Sequence, residues 1–106
     1  MRRRCWSSGQ LPLDAGGNLV GPGDLRAQTR QVFENLRITL EASGATFADV
    51  VKMGTFVTDL ADLASAREAG RVPAAEPPAS TLVQVAGLVH PDAMIEVDLE
   101  AVITTR

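Results

Sequence analysis

Three carboxylates, Glu96, Asp98 and Glu100, stand at alternate positions near the end of the chain, separated by Val97 and Leu99 and flanked by Ile95 and Ala101. Successive side chains of an extended strand point to opposite faces, so this spacing makes one face acidic and the other apolar. A carboxylate beside a cleft can position water and carry a proton between reacting atoms. The same row also describes the solvated face of an edge strand, and spacing alone favours that plainer reading.

Other reactive side chains are scattered. Ser80 and Thr81 precede an apolar run, where their hydroxyls either line a cleft or simply begin a strand. Ser8 beside Gly9 offers a hydroxyl or a backbone amide to a ligand, or is a turn residue. His90 adjoins Pro91 with no Ser, Cys or carboxylate constellation nearby, the setting of a solvated loop histidine and not of a catalyst. Cys5 follows Arg2-Arg3-Arg4, a setting in which a thiol can be reactive, yet a lone cysteine at a fraying chain end needs no function. One cysteine makes no internal disulfide, and without clustered partners it makes no metal site. The glycines between Gly16 and Gly23 lack the spacing of a nucleotide-binding loop and read as turn formers. No cofactor is expected.

The chain has 106 residues, 45% of them hydrophobic and 22% charged, with a formal net charge of -3. That length suits one domain, residues 1–106, around one core. With only Trp6, Phe33, Phe47 and Phe56 as aromatics, the core must come from Val, Leu, Ile and Ala. The acidic balance argues against nucleic acid and anionic membrane as partners. Neither a secretory leader nor a membrane span is legible, so a cytoplasmic protein is expected.

The elements that must position these groups follow from periodicity. Residues 11–23 are turn-rich, a hairpin-like connection in which Asn18-Leu19-Val20 is the only strand-like stretch. Asp24 precedes Leu25, Thr29, Val32, Phe33, Leu36 and Leu40, spaced at threes and fours, which predicts a helix over 24–43 closed by Gly44. Residues 50–58 are rich in β-branched side chains and predict a strand. A second, shorter helix is predicted over 59–70, then a proline-bearing loop over 71–79. Strands over 80–86 and 94–104 close the chain. Strands and helices interleave, which predicts an α+β two-layer sandwich.

The ordered motifs resemble the RidA/YjgF family, also known as L-PSP endoribonucleases or translation initiation inhibitors. The resemblance runs through Ser8-Gly9-Gln10-Leu11-Pro12, Gln28-Thr29, Asn35-Leu36 and Ala42-Ser43-Gly44, then Asp49-Val50-Val51-Lys52 and Phe56-Val57-Thr58-Asp59-Leu60. It ends in Pro78-Ala79, Val83-Gln84-Val85 and Ile95-Glu96-Val97. It implies a chorismate-mutase-like fold, a mixed sheet packed by two helices, in homotrimers with a small-molecule ligand cleft at each subunit interface.

It also implies hydrolysis of reactive enamines and imines to carbonyl compounds and ammonia. Glu96 matches the family glutamate that positions water, and Ser8 and Gly9 match cleft positions. The family's substrate-clamping arginine is matched here by Ser80, followed by Thr81. A hydroxyl cannot fork onto a carboxylate as guanidinium does, a loss on the order of 2–5 kcal/mol of binding. Arg67 and Arg71 precede this loop as alternative sources of positive charge. Arg67 stands where the family has asparagine and Gly70 where it has an aromatic residue, so a reshaped cleft is expected. The loop after them looks shortened, and so does the amino-terminal strand ahead of Ser8. Two functions remain: an imine deaminase acting on altered or non-acid substrates, or a non-catalytic trimer that binds a small metabolite. RNA cleavage is disfavoured by the acidic charge and by the lack of stacking aromatics.

Overall fold

A computed structural model describes residues 2–70 and 77–104. The chain runs β1 (Arg2–Gln10), α1 (Leu25–Ala42), a short 3-10 turn (Phe47–Asp49), β2 (Val50–Val57), α2 (Leu63–Ala69), β3 (Ala79–Gln84) and β4 (Ile95–Thr104). One four-stranded sheet takes the order β1-β4-β2-β3. β4 pairs antiparallel with both β1 and β2, while β2 and β3 are parallel and need the α2 crossover between them. The α+β sandwich expected from the interleaved elements is what forms.

Helix α1 follows its apolar stripe. Leu25, Thr29, Val32, Leu36 and Leu40 are buried on one side, against the inward residues of β4, of which Val97 and Ala101 are wholly covered. Asp24 caps the start by accepting a hydrogen bond from the Ala27 amide at 3.1 Å. Gly44 ends it at φ +80°, a conformation that carries no Cβ penalty in glycine. Gln28, buried on the same stripe, donates to the carbonyls of Gly21 and Asp92 and accepts from the Met94 amide at 2.7 Å. One side chain thus ties the loop before α1 and the loop before β4 to the helix.

Three readings are corrected. Residues 2–7 are not a frayed, turn-prone end: Cys5 and Ser7 point inward at 8% and 6% exposure and pair with Ala101 and Leu99 of β4. The signal was faint because the inward side chains are small and because the partner strand lies at the other end of the chain. The acidic row does not sit on an edge strand, since β4 has a neighbour on each side. The second helix begins only at Leu63 because Asp59 accepts from the Ala61 amide at 2.9 Å, a local turn that competes with helix. Of the proline-bearing loop, residues 71–76 lie outside the described residues, and Pro77 and Pro78 lead without regular structure into β3. The hairpin-like connection forms, with Leu13 bridged to Leu19. No helix among the described residues is long and apolar enough to cross a membrane.

Candidate functional site

The sheet has two unlike faces. Alternation along β4 turns Ile95, Val97, Leu99, Ala101 and Ile103 toward the helices, and leaves Glu96, Asp98 and Glu100 half-buried on the opposite face. Among the described residues no helix covers that second face.

The three carboxylates meet different neighbours there. Glu100 pairs in register with Trp6 and Lys52, and the Arg4 Nη1 stands 3.7 Å from its Oε1. Asp98 lies over Gly54, where an added Cβ would come within 2.5 Å of its Oδ1. Glu96 lies over Gly9, whose missing side chain leaves the room that the carboxylate fills; an added Cβ would overlap Oε1 and stand 2.6 Å from Cδ. Its other cross-strand neighbour is Phe56. Glu96 and Asp98 thus each lie over a glycine, and Glu96 is the one of the two that does so at the irregular part of the β1–β4 pairing. No ion pair or hydrogen bond among the described residues engages Glu96.

Gly9 reaches that position through an irregularity. The β1–β4 register shifts between Ser7 and Gln10, so the Ser8-Gly9 segment bulges out of the ladder. A bulge bends its strand and re-aims its groups, here toward the end of β4 that carries Glu96. Ser7 and Gln10 brace it: the Ser7 hydroxyl donates to the Ser8 carbonyl at 3.1 Å and accepts from the Gln10 amide at 3.4 Å. Ser8 and Gly9 are exposed. Ser8, Gly9 and Glu96, read separately in the sequence, belong to one corner of the open face.

Ser80 is elsewhere. It lines a cavity of about 480 Å³ on the helix-bearing side of the sheet, together with Arg67 and Gly70 of the α2 segment, Phe33 of α1 and Thr55 of β2. Thr81 alternates to the other face, paired with Gly54. Thus the structure brings Arg67 and Ser80 to one cavity but separates both from Glu96 by the thickness of the sheet. Arg71 lies outside the described residues. Phe33 and Thr55 line this cavity and went unread as site residues, because periodicity assigns them only to a helix stripe and a strand. The signal for Phe33 was Gly70, since a Cβ at residue 70 would stand 2.7 Å from the Phe33 Cε2.

The remaining reactive groups have structural employment. Cys5 is buried in the core. The His90 Nδ1 accepts from the Asp92 amide at 3.1 Å, holding the turn before β4.

Comparison with known proteins gives these placements a context. The family model described as Endoribonuclease L-PSP matches residues 1–103. Protein DfrA of Myxococcus xanthus is 43% identical over 96 residues, 90% of this chain and 72% of that protein. Among solved structures, the Rid-family protein of unknown function YyfB from Yersinia pestis superposes with a TM-score of 0.86 at 36% identity, covering 95% of this chain and 79% of that one. TdcF of E. coli, solved with bound serine, gives 0.85 at 31% identity, over 95% and 81%. With a family model spanning nearly the whole chain and folds this close, the chain belongs to the Endoribonuclease L-PSP family, the Rid proteins of RidA/YjgF type.

Proposed function

We propose that the chain is a homotrimeric hydrolase that converts reactive enamines or imines into carbonyl compounds and ammonia, with Glu96 activating the water. The observation that carries this reading is the packing of Glu96 on Gly9 at the β1 bulge, which holds a carboxylate in place beside exposed backbone. Such a carboxylate takes a proton from water as the water oxygen adds to the imine carbon. The nitrogen takes up a proton, and collapse of the resulting carbinolamine expels ammonia and leaves a carbonyl group. The Ser8-Gly9 segment is exposed, and its backbone amides are donors of the kind that orient a substrate.

The two unlike faces support trimerisation. Glu96 and the cavity of Ser80 and Arg67 lie on opposite sides of one sheet, so a site that uses both takes them from neighbouring copies. Three copies around an axis close three such sites. Membership of the Rid family supports this arrangement and a cytoplasmic setting, and the serine bound by TdcF supports a small-molecule ligand.

The replacement of the family arginine by Ser80 favours a second reading, a trimer that binds a small metabolite without turning it over. The two separate in an assay of imines generated in place from several amino acids by an amino-acid oxidase. Hydrolysis accelerated by the wild type and lost in Glu96→Gln supports the enzyme. No acceleration with any substrate, alongside a ligand-induced rise in Tm, leaves the binding protein. Sedimentation should give about three times 11.2 kDa; a monomer would remove the shared site.

A further inference from the structure

The cavity between α2 and the sheet has a chemistry of its own. Met53, Leu82 and Ile95 make its floor apolar, and the Phe33 ring forms a side wall. Among the described residues that line it, Arg67 is the one cation and no carboxylate is present to neutralise it. A hollow with an apolar floor, threonine and serine hydroxyls on its walls and a single charge suits a ligand that is hydrocarbon at one end and oppositely charged at the other.

Size narrows the ligand. About 480 Å³ lies within the range of small-molecule sites and exceeds what a three-carbon acid fills. Gly70 contributes to that room, because its missing side chain lets the Phe33 ring lie over the backbone instead of in the hollow. Ser80 enters the same cavity from the sheet side with a hydroxyl, which can hydrogen-bond a carboxylate but brings no charge.

We infer that Arg67 is the anion-binding residue of this cavity, and that its ligand is a monocarboxylic acid with a branched or extended apolar side chain. The inference deepens the proposed function and rests on it for the reacting group, whereas the binding step is separately measurable. The guanidinium approaches from α2 rather than from β3, so the acid lies with its carboxylate toward the helix and its apolar end on the sheet.

Calorimetric titration tests this with 4-methyl-2-oxopentanoate, pyruvate and 4-methyl-2-oxopentanamide. The branched acid should bind at least tenfold more tightly than either pyruvate or the uncharged amide. Arg67→Gln should bring the acid to the level of the amide while leaving the amide unchanged, a selectivity that a merely structural role would not produce. Because Arg67 is exposed, the variant should fold. Adding Ser80→Arg to Arg67→Gln should restore preference for the acid by placing a guanidinium on the opposite wall. No binding of the branched acid by wild type, a preference for pyruvate, or equal acid affinity in wild type and Arg67→Gln overturns the inference. Tight acid binding lost in Arg67→Gln, without imine turnover by the wild type, would sink the deaminase reading alone. Turnover lost in Glu96→Gln, with acid affinity indifferent to Arg67, would sink this inference alone.

Discussion

Glu96 and Gly9 fit so closely that a single Cβ on residue 9 would stand 2.6 Å from the Glu96 Cδ. The glycine is there for space and not for turn geometry, since its φ is not among the positive values. Gly9→Ala must therefore displace the carboxylate or open the bulge. Imine hydrolysis should fall by about tenfold or more, because misplacing a reacting group by roughly 1 Å can cost on the order of a hundredfold. Circular dichroism should show the fold retained. Unchanged kcat/KM would mean that the position of Glu96 does not govern the reaction.

Gln28 carries a structural burden that its polarity disguises. Wholly buried, it satisfies two carbonyls and one amide on loops 64 and 66 residues away and on the Gly21 turn. Gln28→Leu keeps the volume and strips the Asp92 carbonyl and the Met94 amide of this partner, while the Gly21 carbonyl keeps the Asp24 amide. The expected loss is about 2–4 kcal/mol, which in a domain of this size lowers Tm by roughly 10 °C or more. Thermal unfolding checks it, and a shift of a degree or two would show that water replaces the amide.

Gly70 and Phe33 offer a test of the cavity. A methyl group on residue 70 would meet the Phe33 Cε2 at 2.7 Å and the Cζ at 3.1 Å. Gly70→Ala should push the ring into the hollow and weaken binding of 4-methyl-2-oxopentanoate more than that of pyruvate. Equal effects on both ligands would place the ring outside the binding volume.

On the exposed side of α1, Arg37 bridges Glu34 and Glu41, at 2.8 Å to the latter. The Arg37 hydrogen bond, followed by its charge, holds the Glu34 carboxyl below the ordinary glutamate range, and the two glutamates raise Arg37. A carboxyl lowered in the folded state contributes stability above its unfolded pKa, and that contribution is lost as pH falls through the lowered value. Carboxyl NMR titration should show Glu34 returning to the ordinary range in Arg37→Ala. The small stability gap between wild type and variant should close toward acid pH and at high salt, as expected for an exposed pair.

Much of this was legible locally. The threes-and-fours stripe from Leu25 to Leu40, the capping Asp24 and the closing Gly44 define α1 without reference to any other element. Likewise the alternation from Ile95 to Ile103 specifies both a strand and its two unlike faces. Periodicity of this kind is a property of neighbouring residues, so it survives in one dimension.

What tertiary structure decided is everything that depends on partners distant in the chain. Residues 2–10 read as a strand only because β4 offers them hydrogen bonds, and β4 is central only because β1 occupies its far side. The β1 bulge sets Gly9 against Glu96, and the crossover through α2 brings Arg67 to the cavity that Ser80 also lines. Sheet pairing and helix docking are long-range contacts, chosen by the summed burial of the whole core. The side-chain types along the chain therefore name the chemistry available, and only the packed sheet determines which of those groups share a face.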